Sequence, residues 1–284
     1  YPVYRATDNR NYRQVALKIF PIRSQVCKNF KRECEFFNSF NHPNIIKSYE
    51  AVDETPSDID GADGELVSYL SLEYAPYGDL FEIIAECGPM PEKLARSAFH
   101  QVIDALSYMH SRNVAHLDLK VENILVDENF KLKLTDFDLS QYIDDDFLES
   151  RGTPGYRAPE VKDGVSKDFV AADIYSAGII LFIFLSAMPP YTEMDKGLFT
   201  EFDPYYKLMR KNPEKFWEVH SKHKNNSEFY SKDAISLINS MLAEDPTQRP
   251  TIDAIRNHPW YQKEIYTDEQ FQEEMRSYVL NNRN

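Results

Sequence analysis

The segment His116-Leu117-Asp118-Leu119-Lys120-Val121-Glu122-Asn123 places an acid, an ammonium and a carboxamide within six positions, Asp118 to Asn123. Thirteen residues beyond Asn123 comes a second acidic group, Thr135-Asp136-Phe137-Asp138. Both border short β-rich runs, Asn123 to Asp127 and Lys131 to Phe137. Carboxylate and amide oxygens suit hard divalent cations, a carboxylate facing a hydroxyl can take its proton, and an ammonium can neutralise growing negative charge. Phosphoryl transfer needs all of these, and a further cation on the phosphates. Lys18, inside the β-rich run Val15-Ala16-Leu17-Lys18, is a candidate for that cation. Taken singly, acids at strand ends are ordinary surface features; the joint spacing carries the inference.

The elements that must hold these groups are legible from periodicity. Val3 to Phe20 reads as two strands around a polar turn at Asp8 to Asn11, an antiparallel hairpin. Phe30, Cys34, Phe37 and Phe40 recur at helical spacing, so Gln25 to Phe40 is expected to be an amphipathic helix with Glu33 near its middle. Ile45 to Val52 and Leu66 to Tyr74 read as two more strands, separated by an acidic loop from Asp53 to Glu65. From Pro91 the pattern turns helical: Leu94, Ala98, Val102, Ala105 and Met109 mark a long helix, and Ala172 to Ser186 is apolar on nearly all sides, hence a buried one. Further helices are expected at Lys232 to Leu242 and near Ile252 to Asn257, and a second acidic loop at Asp144 to Glu149.

In order and spacing these segments resemble the catalytic and magnesium-binding loops of eukaryotic protein kinases, usually His-Arg-Asp-x-Lys-x-x-Asn and Asp-Phe-Gly. Val15-Ala16-Leu17-Lys18 is similar to the strand that presents the phosphate-binding lysine, and Glu33 to its helical partner. Gly152-Thr153-Pro154-Gly155-Tyr156-Arg157-Ala158-Pro159-Glu160 resembles the end of the activation segment, and Asp173 and Arg249 the family's structural anchors. The likeness covers residues 3 to 261 and implies an α+β, bilobal kinase fold, with a small antiparallel sheet plus one helix and a larger, mainly helical lobe. The lobes are expected at 1–75 and 76–262, with a C-terminal extension at 263–284.

By that resemblance the chain is a serine/threonine protein kinase using ATP and Mg2+, loosely of the calmodulin-dependent type. Asp118 would be the catalytic base and Lys120 would neutralise the γ-phosphate. Lys18, oriented by Glu33, would hold the α- and β-phosphates, while Asn123 and Asp136 would be the metal ligands. Ala16, Leu72 and Leu125 would line the adenine pocket, backbone groups of Glu73 and Ala75 would bond the base, and Asp79 would reach the ribose. Glu122 belongs to the same nucleotide-contacting set; with Asp79 it also lies where some relatives recognise arginine upstream of the acceptor. Thr153 would position the substrate, and with Lys120 favours serine or threonine as acceptor.

Several positions depart from the family pattern. The chain opens at Tyr1-Pro2-Val3-Tyr4, matching the strand after the glycine-rich loop, so the first strand and most of that loop are expected to be missing. Leu117 stands where many kinases carry the arginine that receives a phosphorylated activation loop, and Asp138 replaces a glycine. These departures motivate an alternative, a pseudokinase scaffold that binds nucleotide or partners without efficient catalysis; retention of Lys18, Glu33, Asp118, Asn123 and Asp136 weighs against it.

Composition bounds the rest. With 42% apolar and 13% aromatic residues in 284, the chain has ample material for a core. Its 46 acidic against 32 basic residues, a net charge of −14, argue against a nucleic-acid surface and favour protein substrates with basic residues near the acceptor. Cys27, Cys34 and Cys87 share no metal-ligand spacing, which suits a cytoplasmic or nuclear setting. The longest apolar run, Ala177 to Met188, is short of the roughly 20 residues of a membrane span. The segment Gly197 to Asn226 is aromatic and basic and is expected to cap the helical lobe, while Phe271, Met275 and Tyr278 give the tail a helical spacing that could pack on the domain or begin a regulatory extension.

Overall fold

The computed structural model describes residues 1–21, 24–57, 65–145, 152–162, 168–192, 203–223 and 229–282. In chain order these form β1 (Val3–Asp8), β2 (Arg13–Pro21), α1 (Ser24–Ser39), β3 (Ser48–Pro56), β4 (Leu66–Glu73), α2 (Leu80–Cys87), α3 (Glu92–Ser111) and β5 (Val114–Ala115). There follow β6 (Ile124–Val126), β7 (Leu132–Leu134), β8 (Gln141–Tyr142), α4 (Pro159–Lys162), α5 (Phe169–Ser186), α6 (Pro204–Lys211) and α7 (Pro213–His223). The last are α8 (Lys232–Met241), α9 (Ile252–Arg256), α10 (Pro259–Gln262) and α11 (Asp268–Asn282). An antiparallel sheet of order β1-β2-β4-β3 with α1 precedes a mainly helical mass, the α+β architecture the resemblance implies.

The hairpin closes because Asp8 accepts from the amides of Asn11 and Tyr12 at 3.2 and 2.7 Å, and Tyr12 takes the left-handed conformation the turn demands, φ 59°. Phe30, Phe36, Phe37 and Phe40 bury one side of α1, with Phe20 of β2 meeting Phe30 at 5.3 Å. That places Glu33 of α1 inward, against β2.

Two expectations need correction. The third strand begins at Ser48 and runs to Pro56 instead of spanning Ile45 to Val52. Ile45 and Ile46 are each 2% exposed because they tie the sheet lobe to β7: the Ile46 amide donates to the Leu134 carbonyl at 2.9 Å. Their apolar character reflects burial between lobes, not strand pairing. The first acidic residues after them continue this exposed edge strand, where Asp53 accepts from the Ser68 hydroxyl at 2.6 Å. Residues 58–64 of the acidic loop lie outside the described residues, as do 146–149 of the second one, the side chain of Cys27, and 197–202 and 224–226 of the aromatic segment.

α5 is the buried axis of the helical lobe. It is long and apolar enough to cross a membrane, with mean hydropathy 2.0, yet 94% of it is covered by the rest of the protein. Gly178 permits its contact with α8: a Cβ there would lie 2.9 Å from Met241 Cβ. The aromatic residues of α7 cap this axis, Phe216 and Trp217 meeting Phe182 at 5.9 and 5.6 Å. Glu160 of α4 is locked to Arg249 by a buried two-pronged pair at 2.5 and 2.7 Å. The tail folds back as α11, burying Phe271, Met275, Tyr278 and Val279, with the Tyr278 hydroxyl donating to the Gly88 carbonyl just past α2.

Candidate active site

Between sheet and helices lies a cleft of about 340 Å³. Ala16 of β2 pairs across the sheet with Leu72 of β4, and both line the cleft, as do Glu73 and Leu125 of β6. At its inner end Lys18, Asn123 and Asp136 meet. The Lys18 ammonium donates to Glu33 Oε1 at 2.7 Å and to Asp136 Oδ1 at 2.8 Å, so it bridges one carboxylate 15 positions away in sequence and another 118 positions away. Burial works against the Lys18 charge, but the carboxylates of Glu33 and Asp136 outweigh it and its pKa is raised. Burial likewise opposes the Asp136 charge, and Lys18 more than offsets it, leaving that pKa lowered. Glu33 is 0% exposed, and burial pushes its carboxyl up to about 7 although Lys18 pulls the other way.

The catalytic-loop residues form a second network. Asp118 Oδ1 accepts from the Thr153 amide and hydroxyl at 2.8 and 2.7 Å. The Lys120 ammonium lies 2.7 Å from Thr153 Oγ1 and 2.9 Å from Asp118 Oδ2. Asn123 donates its amide to the Asp118 carbonyl at 2.8 Å, which turns its side-chain oxygen to other use. The loop is pinned from beneath: Asp173, at the heart of α5, accepts from the amides of His116 and Leu117, each at 2.8 Å. Those bonds hold Leu117 at φ 62°, a conformation that disfavours a Cβ-bearing residue. Gly152 packs so tightly on this loop that a Cβ there would sit 2.7 Å from the Leu117 carbonyl.

Asp136 itself adopts φ 66°, whereas Asp138 does not require positive φ, so the side chain that replaces glycine is accommodated. Phe137, 0% exposed, is caged by Phe37, Phe40 and His116 at 4.8, 5.1 and 5.6 Å. This cage fixes the backbone that aims Asp136 at Lys18.

Three of the expected nucleotide contacts do not line the cleft, although Asp79 pairs with the cleft residue Leu125. Ala75, Asp79 and Glu122 are not among the residues lining the cleft. Asp79 caps α2, its Oδ1 accepting from the Glu82 amide at 3.0 Å, because an acid at a helix start satisfies an otherwise unpaired N–H. Glu122 lines a separate cavity of about 250 Å³ with Phe81, Tyr156 and Met188. There burial, followed by Glu122, pushes the Tyr156 hydroxyl far up. Conversely, Val3, Ile46, Thr135 and Asp138 line the cleft without having been singled out for it; Val3 pairs with Lys18 across the sheet, Thr135 and Asp138 flank Asp136 in sequence, and Ile46 had no such signal.

The donor set fits a hard cation. No cluster of three or more His, Cys, Asp or Glu exists among the described residues, so a metal here would take the oxygens of Asp136 and Asn123 and fill its shell from phosphates and water, as Mg2+ prefers. Fold and site together define a two-lobed α+β protein whose cleft gathers one cation and several carboxylate and amide oxygens. Residues 2–261 match the family model described as protein kinase domain. An SNF1-like protein kinase of Schizosaccharomyces pombe is 35% identical over 262 residues, covering 90% of this chain and 41% of that protein. A CBL-interacting protein kinase of Oryza sativa subsp. japonica is 34% identical over 267 residues, 91% of this chain and 54% of the relative. A probable serine/threonine-protein kinase of Saccharomyces cerevisiae is 35% identical over 237 residues, 83% and 21% respectively. The chain belongs to the protein kinase family, whose members use ATP with magnesium. It spans about half or less of the length of these relatives.

Proposed function

We propose that the protein transfers the γ-phosphate of ATP to serine or threonine hydroxyls of other proteins. The observation that carries this reading is the Asp118, Lys120 and Thr153 network beside the Lys18 and Asp136 pair. Asp118 orients the incoming hydroxyl and accepts its proton, for which its Oδ1 already accepts a hydroxyl hydrogen bond from Thr153 at 2.7 Å. Lys120 offsets the charge that grows on the transferred group, and Lys18, steered by Glu33, holds the inner phosphates. Asp136 and Asn123 would hold Mg2+, which would supply electrostatic neutralisation of the phosphate oxygens. Ala16, Leu72 and Leu125 enclose the adenine, with the backbone of Glu73 and Ala75 at its edge.

Acceptor peptides with basic residues near the phosphorylated hydroxyl suit the −14 charge and the Glu122 carboxylate, which borders the activation-segment residues Pro154 to Tyr156. Transfer of labelled phosphate from ATP to mixed basic peptides by the whole protein tests this. Asp118→Asn should lower kcat at least about a hundredfold. Equal transfer by wild type and variant, or none by wild type, would overturn it.

A further inference from the structure

One cross-lobe contact lies outside the phosphoryl-transfer network. Tyr142 belongs to β8, whose backbone is bound to the helical lobe: it pairs with Val114 of β5, and the next amide, Ile143, donates to the Asn113 carbonyl at 2.8 Å. Its side chain crosses to α1 of the sheet lobe. The phenol donates to Glu35 Oε1, and the ring meets the buried Phe36 edge-on at 5.4 Å and 63°. Glu35 is two residues beyond Glu33, the group that turns Lys18 toward Asp136.

The surroundings give this contact consequence. Phe37 and Phe40 also tie α1 to Phe137, through ring contacts that carry no directional hydrogen bond. A hydrogen bond to a defined oxygen fixes the helix rotation. The charged groups facing the phenol are Arg32 and Glu35 from α1 and Asp145 from β8's continuation.

We propose that Tyr142, acting through Glu35 and Phe36, is a positioning residue that holds α1 in the register where Glu33 meets Lys18, so that the grip on ATP depends on a neutral hydroxyl-to-carboxylate latch between the lobes. The proposal rests on the kinase reading for its activity readout. It has a second readout that does not: amide hydrogen exchange in α1, residues 30–39.

Tyr142→Phe keeps the ring and removes the hydroxyl; Glu35→Ala removes the acceptor. In the whole protein each should lower kcat/KM for ATP by about three- to tenfold, mainly through KM, and speed exchange in α1, while the unfolding midpoint moves little. The double variant should be no worse than the poorer single one, and Glu35→Gln, which keeps an acceptor without the charge, should fall between Glu35→Ala and wild type. Unchanged exchange in Tyr142→Phe, or losses that multiply in the double variant, would overturn the latch. A wild type with no transfer activity but with faster α1 exchange in Tyr142→Phe would sink the kinase reading and leave the latch supported.

Discussion

Glu33 shows how the site balances burial against charge. Its carboxyl is pushed to about 7, from an ordinary 4.5, by desolvation that Lys18 only partly offsets. A raised folded-state pKa means that the folded protein binds the proton more readily than the unfolded chain between those two values. The associated stability is full below pH 4.5 and is lost as pH rises through about 7. Glu33→Gln mimics the neutral form at every pH. The difference in melting temperature between this variant and wild type should therefore shift in the variant's favour from pH 5 to pH 8, which thermal denaturation at both pH values checks; a constant difference would show that Glu33 does not titrate in this window. Residue roles were legible where several groups had to keep one spacing, as with Asp118, Lys120, Asn123 and Asp136. They were not legible where a single side chain had to choose a direction: Asp79 turns to cap a helix and Glu122 faces a second cavity, and the spacing of the catalytic motifs fixes neither choice.

At the scale of elements, periodicity found β2, α1, α3 and α5 because each buries one continuous face or nearly its whole surface, and β1, which has no buried residue, as the first arm of the hairpin. It misplaced β3, since Ile45 and Ile46 are buried by another lobe and mimic strand residues. It passed over α2, whose eight residues are too few to establish a period, although Asp79 three residues before Glu82 and Gly88 at φ 80° are the signals of its two ends. α2 is held from behind by α11, through buried Met275, Tyr278 and Val279. Met275 is 0% exposed, so Met275→Ala should cost about 2–5 kcal/mol in chemical denaturation by the loss of packed volume. A loss below about 1 kcal/mol would mean that α11 docks loosely and is dispensable to the fold.

The molecule as a whole converts separation in sequence into one shared charge site. Lys18 rides on a sheet, Glu33 on a helix held by aromatic rings, and Asp118 and Asp136 on loops pinned to α5 by Asp173 and to α1 by Phe137. The order of the motifs disclosed this arrangement because each is tied to a different element of a single architecture; the distances became visible only when the two lobes met. Magnesium-dependent binding of ATP, measured calorimetrically on wild type and Asp136→Asn, is the most direct test. Binding that requires Mg2+ and weakens at least about tenfold in the variant is expected from two protein oxygens holding the metal. Equal affinity with and without Mg2+, unchanged by the substitution, would contradict the assignment of this cleft to a metal-bound nucleotide.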